Sequence, residues 1–257
     1  MISDDDLMAG RAHFMDDRQL EKDYLQTMLL YEICSVFSSD LVFKGGTALK
    51  RFYGLDRFSE DLDFTYMGEG SRDGIGKLEK AFTSFGRAYE IADKKRRGTA
   101  TSLDYELKIR GPLFGRRKIA QAIEINLSFR EKVLLKPDVR YIGAAYPDIG
   151  TFFVYVMRIE EMLAEKARAI LTRRSVKARD IYDMYYIKVR QNVGLDRELI
   201  RKKLAPYGKD LDKRELSDAI SGVGEMEWKS ELSNVMERVP DYAKVRSFLL
   251  KSVREEL

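Results

Sequence analysis

The sequence predicts an α/β (α+β) fold, a mixed sheet with flanking helices over residues 1–155 followed by a helical C-terminal domain over 156–257. Three observations carry that reading. Short β-prone runs recur between 41 and 157, divided by glycine and proline. Stretches with helical period flank or interrupt them at 19–37 and 71–88. From 158 onward the apolar residues fall almost wholly at spacings of three and four.

Taken in order, "QLEKDYLQTMLLYEICSVF" (19–37) sets Leu20, Tyr24, Met28, Tyr31 and Cys34 on one face of a helix that packs on a sheet. "LVF" (41–43) is a short buried strand, and "GGTALKRFYG" starts at a glycine turn and continues as a short helix to near Gly54. "DLDFTYM" (61–67) alternates and is rich in β-formers, so it is a strand; 71–88 is a helix. "YEIAD" (89–93), "TATSLDYELKIR" (99–110) and "IAQAIEINLSF" (119–129) are further β-runs, with Gly111-Pro112 and Gly115 marking a hairpin-like connection. "TFFVYVM" (151–157) is one more strand or a packing segment. Beyond it, Ile159, Leu163 and Ile170 define one helical face, and Ile181, Tyr185 and Val189 another.

With 44% hydrophobic and 34% charged residues, the 257-residue chain can bury a core and keep a wet surface. One cysteine, Cys34, and one histidine, His13, exclude a disulfide framework, a Cys/His zinc site and a histidine pair. Uncharged apolar runs fall short of the roughly 20 residues of a membrane span, and the start is acidic. A cytoplasmic location with no membrane partner is therefore expected. The net charge of +4 is mild, but residues 94–118 hold nine Lys/Arg against two acidic residues, and 158–190 nine against five. Such clusters attract an anionic partner, or they are solvated edges guarded by charge.

The chemistry concentrates in "VFKGGTALKRFYGLDRFSEDLDF" (42–64). Asp61 and Asp63 stand at i and i+2 of the expected strand, so their carboxylates share a face. Side by side they repel unless a cation neutralises them, and Mg²⁺ suits oxygen ligands while leaving positions for phosphates. Glu124, in "AIEINL", is a candidate third carboxylate if its strand neighbours theirs. An isolated D-x-D is more often a solvent-facing pair. Gly45-Gly46 shifts the balance, because glycine lets backbone approach a ligand and a helix starting there directs N–H groups at a phosphate. A phosphate cradle beside metal-binding carboxylates is the equipment of nucleotidyl transfer.

Strand, Gly-Gly, short helix and Asp-x-Asp on the next strand resemble the signature of the DNA polymerase beta superfamily of nucleotidyltransferases. The string "KGGTALKRFYGLDRFSEDLDF" looks like the AbiEii-type nucleotidyltransferase toxin family within it. Fourteen residues separate Gly46 from Asp61, slightly more than is usual in the superfamily, and are taken as a longer turn. The resemblance implies a nucleotidyltransferase core over 1–155 that transfers NMP from an NTP to an acceptor, with two Mg²⁺ ions. It also implies an RNA acceptor such as the tRNA 3′ end, and a cognate antitoxin as partner. Lys44, Gly45, Gly46, Thr47, Arg57 and Ser59 are the implied nucleotide-binding residues, and Asp61, Asp63 and Glu124 the metal set. Phosphate on Ser59 would compete for the same ions.

In the helical half the resemblance implies a catalytic lysine and aspartate, met by "EEMLAEKARAIL" and "VKARDIYDMYYI". Lys166 lies between Leu163 and Ile170 on the apolar face, so it either snorkels or points at negative charge. Asp180 is the implied catalytic aspartate, or a first-turn carboxylate favoured by the helix dipole. A small-molecule acceptor, or a module that binds nucleotide or RNA without catalysis, are the alternatives.

Overall fold

A computed structural model describes residues 2–257, which form two compact units. The first comprises 2–48, 60–130 and 137–156; the second comprises 49–59, 131–136 and 157–257. The division after Val156 lies one residue from the expected boundary, but 49–59 and 131–136 belong to the second unit rather than to the sheet.

The first unit opens with α1 (Asp4–Met8) and α2 (Asp17–Val36), whose Asp16 cap accepts from the Gln19 N–H at 2.8 Å. Strand β1 (Leu41–Lys44) runs directly into α3 (Gly45–Tyr53), and β2 (Leu62–Tyr66) and α4 (Ser71–Phe85) follow. Next come β3 (Glu90–Gly98), β4 (Ser102–Arg110), the short α5 (Phe114–Arg117), β5 (Gln121–Ser128), β6 (Asp138–Ile142) and β7 (Phe152–Val156). They form one mixed sheet in the order β3-β4-β5-β2-β1-β7-β6, with β2 parallel to β5 and β1 parallel to β7. One sheet face carries Phe43, Phe64, Leu127, Leu103 and Tyr105, all buried, and it is covered by α2 and α4. Helix α2 is buried nearly all round from Leu20 to Leu30, so it needs buried polar partners. Glu21 accepts from the Leu113 N–H and the Gln121 amide at 2.7 and 2.6 Å, and Asp23 from the Tyr146 hydroxyl at 2.9 Å.

Three local expectations change. β3 extends through the basic run to Gly98, because pairing with β4 satisfies its backbone whatever its side chains. β6 was not foreseen: it is an edge strand with three of its five residues exposed, and it lacks a buried alternation. The expected hairpin-like connection of β4 to β5 is present, the two strands pairing antiparallel, but it carries the short α5.

The second unit is helical: α6 (Ile159–Thr172), α7 (Ala178–Arg190), α8 (Arg197–Leu204), α9 (Lys213–Ser221), α10 (Glu225–Ser233) and α11 (Tyr242–Glu256). Trp228 is fully buried, packs on Tyr242 and Tyr182, and donates to the Pro240 carbonyl at 2.9 Å. Segment 131–136 belongs here because Glu161 accepts from the Leu134 and Leu135 N–H groups at 2.7 and 2.8 Å. Buried Lys203 joins Glu161, Glu165 and the Lys132 carbonyl. None of the helices among the described residues is long and apolar enough to cross a membrane.

Candidate active site

β1 passes into α3 without a loop, which requires Gly45 at φ +77°. A Cβ there would lie 2.2 Å from Asp63 Oδ2, so backbone and carboxylate are in direct apposition. The antiparallel register agrees, pairing Lys44 with Asp63. Glycine turn and second aspartate are thus two sides of one corner, at the N-terminus of a nine-residue helix whose N–H groups favour an anion. Gly46 is buried in the first turn. Thr47 is also buried, and its hydroxyl donates to the Asp61 carbonyl at 2.5 Å. It therefore fixes the chain entering β2 rather than offering its hydroxyl to phosphate. Asp61 precedes the strand by one residue and is half-buried.

Asp63 Oδ1 accepts from the Asn126 amide at 2.9 Å. Strand register extends this contact into a row across the sheet: Asp63 pairs with Asn126, Asn126 with Asp104, and Asp104 with Arg97. A second row runs from Glu124 to Glu106 to Lys95. Beyond Asp63, the side chains of the two rows, Asn126, Asp104, Arg97, Glu124, Glu106 and Lys95, line a cavity of about 190 Å³. Burial, reinforced by the Asp63 charge and opposed by Arg97, holds the Asp104 carboxyl above the usual carboxylate range. Among the described residues no Lys or Arg stands within ion-pair distance of Asp63.

Glu124 lies on the predicted face, yet no three Asp, Glu, His or Cys side chains among the described residues group closely enough to hold a metal. The expected trio of Asp61, Asp63 and Glu124 is therefore not preassembled. Glu124 stands across from Glu106, two residues before the Asn126 that touches Asp63. The donor chemistry still fits a hard divalent ion: Asp61 and Asp63 offer oxygen ligands, Asp63 has no cation of its own, and Asp104 adds repulsion. Asp104 and Asn126 were missed from sequence. Asp104 and Glu106 repeat the alternate spacing of Asp61 and Asp63, which was the available signal.

In the second unit Lys166, from α6, points at α7. Its ammonium lies 2.9 Å from Asp180 Oδ1 and 2.6 Å from Asp183 Oδ2. Arg57 grips Asp183 bidentately, both bonds 2.7 Å, and donates its remaining Nη1 to the Phe58 carbonyl at 2.9 Å. Arg173 also meets Asp180. Asp183 is wholly buried, as are Arg57 and Asp180 to within 3%. Burial alone would raise the Asp180 pKa, but Lys166 and Arg173 hold it below the usual range. Burial alone would likewise depress Lys166, and the two aspartates keep it above its ordinary value.

The negative charge awaited by Lys166 thus comes from its own unit. Asp180 lies in the first turn of α7, as the helix-dipole reading expected, and it also pairs with Lys166. Arg57, expected at the nucleotide, has its guanidinium committed to Asp183 and backbone, and Ser59 is buried. Asp183 was missed because its partner is 126 residues away in sequence. The basic stretch 158–190 is less open than its composition implied, since Lys166, Arg168 and Lys188 pair with acidic residues inside the unit.

The mixed sheet with its glycine–aspartate corner and helical companion defines a nucleotidyltransferase-like protein. The chain belongs to the family described as "Nucleotidyl transferase AbiEii toxin, Type IV TA system", whose model matches residues 28–251. No curated protein matches it. Among solved structures it is similar to MenT4, the nucleotidyltransferase toxin Rv2826c from Mycobacterium tuberculosis H37Rv, at 19% identity and TM-score 0.64, covering 96% of this chain and 88% of that one. It is also similar to JHP933 from Helicobacter pylori, at 18% identity and TM-score 0.59, covering 93% and 91%. At such identities these likenesses speak for the fold.

Proposed function

We propose that this family member transfers a nucleotide from an NTP to the 3′ end of an RNA, with tRNA as the acceptor class, as the toxin opposed by a cognate antitoxin in the cytoplasm. The observation that carries the reading is Gly45 pressed against an Asp63 that, among the described residues, has no Lys or Arg within ion-pair distance. In the reaction an acceptor hydroxyl oxygen bonds to the α-phosphorus as the bond to pyrophosphate breaks. The N–H groups of Gly45 and Gly46 at the start of α3 bind phosphate oxygens. Asp61 and Asp63 hold Mg²⁺, which when bound neutralises phosphate charge and makes the acceptor hydroxyl easier to deprotonate. Thr47 keeps Asp61 in register through its carbonyl, and Asn126 orients Asp63. Arg57 and Asp183 act as the clamp that orients Lys166 and Asp180. An RNA acceptor is supported by the exposed basic strand β3.

The test is to incubate pure protein with each labelled NTP, Mg²⁺ and total RNA, and to locate the label. Label at tRNA 3′ ends, lost on chelation, is expected. Label that appears only in a small-molecule fraction would replace RNA as the acceptor; no label with any NTP would overturn transfer itself.

A further inference from the structure

The four cations of β3, Lys94, Lys95, Arg96 and Arg97, look equivalent in sequence, but strand alternation sends them to opposite faces. Lys95 and Arg97 share the face of Asp63: Arg97 ends the row that passes through Asn126 and Asp104, and Lys95 ends the row through Glu124 and Glu106. Both line the cavity of about 190 Å³. Lys94 and Arg96 project from the other face, where Lys94 pairs with Glu79 at 2.5 Å.

The site-side cations are available to a ligand. Among the described residues Arg97 makes no ion pair. Lys95 stands 3.6 Å from Glu106 and 3.9 Å from Asp93 and is 48% exposed, and pairs of that kind are worth at most about 1 kcal/mol. The floor between them and Asp63 is carboxylate, from Asp104, Glu106 and Glu124. A phosphate is repelled from such a floor, whereas hydroxyl and amine donors are accepted by it. Three strand spacings, about 14 Å, separate Asp63 from Arg97.

Resting on the reading of RNA as acceptor, we propose that this face holds the acceptor strand leading to the reacting end. Lys95 and Arg97 take its phosphates at the sheet edge, and the carboxylate floor receives ribose hydroxyls and base amines nearer Asp63. Charge complementarity separates this role from edge protection, which any four cations on an edge strand would serve.

The test compares K95A/R97A with K94A/R96A, two variants with the same charge removed from opposite faces of one strand. Binding of a short fluorescein-labelled single-stranded RNA is followed by anisotropy across a salt series, in parallel with NTP incorporation. K95A/R97A is expected to weaken RNA binding about tenfold and to reduce the log–log salt slope by about 1.4, at roughly 0.7 per phosphate contact. The KM for NTP should hold, and K94A/R96A should stay within about twofold of wild type. Equal losses in the two variants, no loss in K95A/R97A, or no RNA binding by the wild type would each overturn the proposal. Binding that follows this pattern without any incorporation into RNA would retain the surface and reject the transfer reaction.

Discussion

The two acidic constellations answer the same electrostatic problem in opposite ways. In the sheet unit, Asp63 is close to a second carboxylate, has an amide for a partner and, among the described residues, has no Lys or Arg within ion-pair distance. In the helical unit, Asp180 and Asp183 are more deeply buried, yet every charge is matched by Lys166, Arg57 or Arg173. Closed charge supports the fold. Charge left open, beside a glycine that admits backbone but no side chain, is what the proposed ion and phosphate site requires. The contrast separates residues whose loss should destroy activity from those whose loss should destroy structure.

Asp63→Ala is the largest expected effect. Transfer should fall by at least about 10³-fold, some 4 kcal/mol of transition-state stabilisation. The thermal midpoint should hold or rise, since a repelling carboxylate has gone. A parallel fall in activity and midpoint would sink the contrast. Asp183→Ala should do the reverse first: it strands Arg57 and leaves Lys166 with one partner, at a cost of about 3–5 kcal/mol read from urea unfolding. A variant within about 1 kcal/mol of wild type would show that the cluster is not structural.

Next comes Gly45→Ala. Left-handed backbone alone costs roughly 1–2 kcal/mol for an alanine, and the added methyl would meet Asp63. Activity should drop further than stability, because relief requires moving the carboxylate proposed to hold the metal. An alanine variant with wild-type turnover would remove the corner from the mechanism.

How much of this could be read in advance divides along the same line. The corner was legible because its parts are local: a strand end, a glycine pair, and two aspartates whose alternation fixes their face. Asp104 and Asn126 were not, because strand order is a long-range property and nothing near residue 104 states that β4 lies two strands from β2. The clamp was half legible. Helical spacing showed Lys166 on an apolar face, but Arg57 reaches Asp183 from a segment that the sequence assigned to the other half. For 158–190 composition left two readings open, since counting cations does not say which are already paired.

A smaller effect concerns acid. The Asp180 pKa is depressed in the folded state, so its ionisation contributes stability that is fully present above the unfolded value near 3.9. That contribution is lost as pH falls through the folded value. Asp180→Asn should be less stable than wild type at neutral pH, and the gap should narrow below about pH 4. A gap that stays constant with pH would mean that shape, not charge, makes the contact.

Asp104→Asn carries the smallest effect and the opposite sign. Its carboxyl is raised, first by burial and then by Asp63, against the pull of Arg97. The folded state therefore holds the proton more tightly than the unfolded chain, and ionisation costs stability as pH rises through the folded value. Asparagine removes that cost, so the variant should melt slightly higher than wild type at neutral pH, and the advantage should vanish in acid. Added Mg²⁺ should shrink the difference as well, because an ion at Asp63 would lessen the repulsion felt at residue 104. One kind of substitution, aspartate to asparagine, would then destabilise the helical unit and stabilise the sheet unit, and a lower midpoint for Asp104→Asn at neutral pH would show that the sheet's carboxylates are as closed as those of the clamp.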